Sequence, residues 1–143
     1  MTNVLSCIAG EFTGYAHGNI FRFDNGLVCQ QVTSRYAYLY AYRPAARLIQ
    51  QHGRLLLEVE GMGEAVQVVR VSKLEEGVIV NDFRGFTGDS LFHFDNGHVW
   101  QQAEYKYNYH YAYRPDAVIV DGINGPEMHV DGMDETVGVR RVR

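Results

Sequence analysis

At 143 residues, with a net charge of −4, 46% hydrophobic and 21% charged residues, the chain has the composition of a folded globular protein and not of a disordered one. The acidic balance argues against a dedicated nucleic-acid binder, which neutralises phosphates with an excess of Lys and Arg, and no apolar run approaches the ~20 residues that a helical bilayer crossing needs. Met1 to Gly10 has neither the basic opening nor the long apolar stretch of an export signal, so a cytoplasmic location is expected, with free thiols at Cys7 and Cys29.

In chain order, the first alternating stretch surrounds Cys7 to Tyr15 and reads as a strand. Ile20 to Phe23 flanks one polar position with apolar ones, and Asp24-Asn25-Gly26 behind it supplies the positive φ of a type I′ hairpin. With Asn25-Gly26 as a two-residue loop, Phe23 is expected opposite Val28 and Arg22 opposite Cys29. A tyrosine at every second position from Tyr36 to Tyr42 predicts an extended segment with all its rings on one face. Ala46 to Gln50, Leu55 to Glu60 and Ala65 to Val71 read as three further strands, punctuated by Gly53 and Gly61.

The same succession then returns 71 residues later. Phe21-Arg22-Phe23-Asp24-Asn25-Gly26 recurs as Phe92-His93-Phe94-Asp95-Asn96-Gly97, Gln30-Gln31 as Gln101-Gln102, and Arg43-Pro44 as Arg114-Pro115. Tyr36, Tyr38, Tyr40 and Tyr42 fall on Tyr107, Tyr109, Tyr111 and Tyr113, and Val66, Val68 and Arg70 on Val137, Val139 and Arg141, without a gap. The later strands of the second copy are expected at Ala117 to Asp121, Glu127 to Asp131 and Thr136 to Val142, with Phe94 opposite Val99 and His93 opposite Trp100.

The chain is thus expected to hold two all-β units, residues 1–72 and 73–143, joined by the polar stretch Ser72-Lys73-Leu74-Glu75-Glu76-Gly77. A unit of this size buries a small fraction of its surface, so the copies are expected to pack together about an approximate internal twofold. Five or six short strands with Gly-rich turns favour a small closed barrel in each unit, which removes exposed edges. The expectation is two tandem SH3-like barrels, with OB-like barrels or one shared β-sandwich as the alternative.

Phe94-Asp95-Asn96-Gly97-His98-Val99-Trp100-Gln101-Gln102, with the tyrosines, Tyr113-Arg114-Pro115, Val130-Asp131-Gly132-Met133 and Val139-Arg140-Arg141-Val142, resembles a family of small bacterial tandem-repeat β proteins of no assigned function. The resemblance covers nearly all of each unit and implies no activity and no catalytic residues. The first unit departs from it, with Cys29 in place of Trp100 and Leu39 in place of His110.

The tyrosine run is the most unusual candidate site. Tyr105, Tyr107, Tyr109, Tyr111 and Tyr113 form either a platform for a peptide, a sugar or a base, with Arg43 and Arg114 adding cation–π contacts, or an amphipathic cover over the barrel or the seam between units. Trp100 and His93, as expected cross-strand neighbours, form either a recognition patch or an anchor between units or chains. Gln30, Gln31, Gln101 and Gln102 offer amides either to a ligand or to loose backbone groups. Arg70, Arg140, Arg141 and Arg143 make a modest basic patch that either touches phosphates or balances nearby carboxylates.

The six histidines have no histidine at the equivalent position of the other copy, and neither His-x-x-x-His nor Cys-x-x-Cys occurs, so no metal and no cofactor are expected. Asp24 and Asp95 sit in turns, and no nucleophile motif is present. The leading expectation is a non-enzymatic module that binds a protein or peptide partner through Trp100, His93, Tyr107, Tyr109, Tyr111, Arg114 and Gln101. The alternatives are single-stranded nucleic-acid binding, an enzyme with a site at the inter-repeat cleft, and a structural role in a homo-oligomer.

Overall fold

The computed structural model describes residues 2–143, with side chains from Val4 onward. It is all-β, with no helix and 63% strand, and it divides into two compact units, Met1–Val71 and Ser72–Arg143.

The first unit contains β1 (Thr2–Cys7), β2 (Glu11–Tyr15), β3 (Ile20–Arg22), β4 (Val28–Gln31), β5 (Ala37–Tyr42), β6 (Ala45–Gln51), β7 (Arg54–Val59) and β8 (Ala65–Arg70). The second contains β9 (Ser72–Val78), β10 (Phe83–Thr87), β11 (Leu91–His93), β12 (Val99–Gln102), β13 (Tyr107–Ala112), β14 (Asp116–Gly122), β15 (Gly125–Val130) and β16 (Val137–Arg141). In each unit six strands form an antiparallel sheet, ordered β1-β6-β7-β8-β4-β3 and β9-β14-β15-β16-β12-β11. The remaining two form a separate ribbon, β2-β5 and β10-β13.

Bridges between Ile8 and Phe23, and between Ile79 and Phe94, bring the first and last strands of each six-stranded order together. Backbone bonds from Ala9 to Arg22 and from Asp24 to Cys7 (2.8 and 2.9 Å) reinforce that meeting in the first unit. Val80 to His93 and Asp95 to Val78 (2.8 and 3.0 Å) repeat it in the second. Each unit buries its own core. Ile8, Phe12, Tyr15, Phe21, Leu48, Leu57 and Val66 pack in the first, and Ile79, Phe86, Phe92, Trp100, Ile119 and Met128 in the second.

Three local expectations are corrected. The polar stretch Ser72–Gly77 is not a linker but most of β9, with Glu75 paired to Ile119. The alternation around Cys7 to Tyr15 is two strands, broken at Gly10, whose φ of +74° suits glycine.

The β3–β4 hairpin is not type I′. Gly26 N bonds Phe23 O (3.0 Å) and Phe23 N bonds Leu27 O (3.0 Å), so the loop holds three residues and only its glycine has positive φ. Asn25 instead spends its side chain accepting the Leu27 N–H (3.0 Å). The register therefore shifts by one residue: Arg22 pairs with Val28 and Phe21 with Cys29. His93 likewise faces Val99, and Trp100 faces Phe92. The turn with two left-handed residues joins β6 to β7 at His52 and Gly53 (φ +53° and +75°).

Candidate binding surface

β5 and β13 owe their shape to period-two alternation. The inward positions of β5, Ala37, Leu39 and Ala41, pack on the core, while Tyr38, Tyr40 and Tyr42 point out, with Tyr40, the least exposed, still 53% accessible. In β13, Asn108, His110 and Ala112 are half-buried, whereas Tyr107, Tyr109 and Tyr111 are 71%, 58% and 55% exposed. Tyr105 and Tyr113 extend the exposed row beyond both strand ends. With ~3.3 Å per residue, neighbouring rings stand about 6.6 Å apart along the strand.

Two devices hold this strand in place. Gly14 and Gly85 let β2 and β10 approach so closely that an added Cβ would lie 2.0 Å from Ala37 O or 2.1 Å from Asn108 O. Both glycines also have positive φ, at the register shift in each ribbon. The second device is the buried glutamine at the end of β4 and β12. Gln31 accepts from Ala16 N (3.0 Å) and donates to Thr33 O and Arg35 O (2.9 and 2.8 Å). Gln102 accepts from Thr87 N and Gly88 N (3.1 and 3.0 Å) and donates to Glu104 O and Lys106 O (3.0 and 2.7 Å). These amides stitch the entry of the tyrosine strand to the strand beside it, which is the backbone-satisfying role. Gln30 Nε2 donates to Gly18 O (3.0 Å), and Gln101 accepts from Arg140.

Charges flank the rings in pairs. Arg35 pairs with Glu64, and Arg43 with Asp24. Tyr40 Oη donates to Glu11 (2.9 Å). Among the described residues Arg84 is the cation over a ring, 5.9 Å from the centre of Tyr111 and paired with Asp82. Arg43 and Arg114 instead end the strand as left-handed residues, φ +50° and +47°, a conformation uncommon for side-chain-bearing residues. Lys106 turns inward to Thr136 O (2.6 Å).

Trp100 is not on the surface. Only 6% exposed, it belongs to the second unit's own core, so it forms no exposed patch with His93, and it anchors the unit internally. Its indole donates to Glu75 Oε1 (3.2 Å), which also meets His98 Nδ1 (2.6 Å), while Asn96 Nδ2 donates to Glu75 Oε2 (2.6 Å). Burial opposes ionisation of Glu75, yet the hydrogen bonds from His98, Trp100 and Asn96, with the His98 charge, hold its carboxyl below the ordinary value.

Sequence reasoning missed this cluster because Glu75 read as linker. The signal was present in the repeat: Glu75, His98 and Trp100 fall on Val4, Leu27 and Cys29. Cys29 is buried and free, its thiol pushed up to about 11 by burial. An open cleft of about 490 Å³ in the first unit, lined by Leu5, Arg47, Glu58, Glu60 and Gly61 among others, contains none of the tyrosines. Among the described residues, no group of three or more His, Cys, Asp or Glu is placed to hold a metal ion, and no helix is long and apolar enough to cross a membrane.

No family model, no curated protein and no solved structure matches the chain.

Proposed function

We propose that the protein is a non-enzymatic interaction module that engages a protein or peptide partner through the tyrosine faces of β5 and β13. The observation that supports this reading is the outward row of rings carried by strands that each have one ladder neighbour. An extended partner gains main-chain hydrogen bonds along such an edge and lays its side chains between the rings. Tyrosine suits the task, because it offers a large amphipathic contact area with few rotatable bonds. Within the predicted set, Tyr107, Tyr109 and Tyr111 are the contact residues, with Arg114 at the end of the row. Trp100 and Gln101 act from behind it, one in the core and one tied to Arg140.

The architectural reading that goes with it is a small SH3-like barrel in each unit. The bridged first and last strands, Ile8 with Phe23 and Ile79 with Phe94, favour that reading. The repeated Asp-Asn-Gly, Gln-Gln and Tyr-Arg-Pro pattern favours descent within the family of small bacterial tandem-repeat proteins, acting in the cytoplasm.

Panning the full chain against a displayed library of random ten-residue peptides tests the reading. The expected result is enrichment of a sequence motif whose recovery falls at least tenfold when Tyr107, Tyr109 and Tyr111 are changed together to Ser. Recovery unaffected by that change overturns it. So does a salt-dependent shift of labelled single-stranded oligonucleotides with no peptide enrichment, which assigns the rings to base stacking.

A further inference from the structure

The edge strand of the first unit reads the same in both directions. Arg35-Tyr36-Ala37-Tyr38-Leu39-Tyr40-Ala41-Tyr42-Arg43 is a nine-residue palindrome centred on Leu39. Placed antiparallel against a second copy of itself about a twofold axis through Leu39, it sets Tyr38 opposite Tyr40 and Tyr36 opposite Tyr42 on the outer face. On the inner face Ala37 meets Ala41, and Leu39 meets Leu39. From Tyr36 to Tyr42 each cross-strand pair is aromatic with aromatic or apolar with apolar, the pairs that stabilise antiparallel sheets.

Three further features favour a second copy over an unrelated strand. First, β5 is an end strand of a two-stranded ribbon, with β2 its one ladder neighbour among the described residues. Second, residues 36–42 contain no charge and no proline, the devices that natural edges use against self-pairing. Third, the arginines that such pairing brings face to face, Arg35 with Arg43, each carry their own counter-ion, Glu64 and Asp24. The second unit lacks the full symmetry: about His110, the position equivalent to Leu39, a copy of β13 set against itself opposes Asn108 with Ala112 and His110 with His110.

We infer that two copies of the chain associate through β5 about a twofold axis, joining the two ribbons into one antiparallel sheet of order β2-β5-β5-β2. This assignment rests on the tyrosine strands being the binding surface, and it names the partner as the chain itself. The pairing is isologous and closed, so it ends at the dimer.

Sedimentation equilibrium of the full chain from micromolar to millimolar concentration tests it. The expected result is a concentration-dependent dimer. Because Tyr38 of one copy faces Tyr40 of the other, Tyr38→Lys/Tyr40→Lys sets lysine against lysine twice and weakens the dimer at least tenfold. Tyr38→Lys/Tyr40→Glu sets lysine against glutamate twice and retains it. All these positions are exposed in the monomer, and unchanged circular dichroism verifies folding of both variants. A dimer equally affected, or equally unaffected, by the two variants overturns the register and the inference with it. A wild-type chain that stays monomeric but still enriches a peptide motif overturns the twofold and leaves the interaction reading standing. A monomeric chain that enriches nothing removes both.

Discussion

In the first unit Val4 and Leu27 pack against the core that contains Cys29; in the second, the same three places hold Glu75, His98 and Trp100. The strand pairing around them is unchanged: Cys29 lies between Phe21 and Arg70, and Trp100 between Phe92 and Arg141. A carboxylate thus occupies a position that the fold elsewhere fills with valine, and it is 8% exposed. A buried charge is costly unless its lone pairs find donors. Here the donors arrive with it: the Leu-to-His and Cys-to-Trp differences supply two, and Asn96, present as Asn25 in both units, supplies the third. One backbone accepts two side-chain solutions, provided that each is complete.

The largest expected break in the comparison is at the indole. Trp100→Ala removes core volume and a donor, and is expected to cost the second unit about 3–5 kcal/mol. Cys29→Ala removes one sulfur from the first unit and is expected to cost less. Urea titrations followed by heteronuclear NMR, with peaks from each unit tracked separately, read both values.

Next in size is Glu75→Val, which gives the second unit the first unit's residue without its neighbours. The donors on Asn96, His98 and Trp100 lose their acceptor, and a loss of about 1–3 kcal/mol is expected at pH 7. Its pH dependence has a definite sign. The folded carboxyl titrates below its ordinary 4.5, so on acidification the unfolded chain takes up the proton first. Ionised Glu75 therefore stabilises the second unit at neutral pH, and this contribution is lost as the pH falls from 4.5 through the folded value. Stability of the wild type minus that of Glu75→Val, measured from pH 7 down to pH 3, is expected to shrink over that window. A difference that grows on acidification contradicts the assignment.

The smallest expected contrast is a test of sameness. Gly14→Ala and Gly85→Ala each force a Cβ onto a backbone oxygen, at a positive φ. Each is expected to destabilise its own unit by more than ~1 kcal/mol and by similar amounts. A large inequality in thermal denaturation shows that the two ribbons are held differently.

Some of this was legible in the residues. Alternation at Tyr36–Tyr42 and Tyr105–Tyr113 fixes which side chains share a face, because successive positions of an extended chain point to opposite sides. Which face is outward was not legible, because that depends on the apolar residues packed behind Ala37, Leu39 and Ala41. The Asp-Asn-Gly turn was visible, but not its type: a two-residue and a three-residue loop both use the glycine, and choosing between them moves every partner by one. That one-residue error placed His93 beside Trp100.

By itself the sequence determined the all-β class, the 71-residue recurrence and the alternation of the tyrosines, all consequences of local spacing along the chain. Tertiary structure alone decided that the tyrosine rings face outward, that Trp100 belongs to the core, and that Glu75 lies in a core strand and not in a connection. The reason is physical: the burial of an ionised side chain depends on donors 21 to 25 residues away in sequence, and they come to it only where the segments bridged at Ile79 and Phe94 meet.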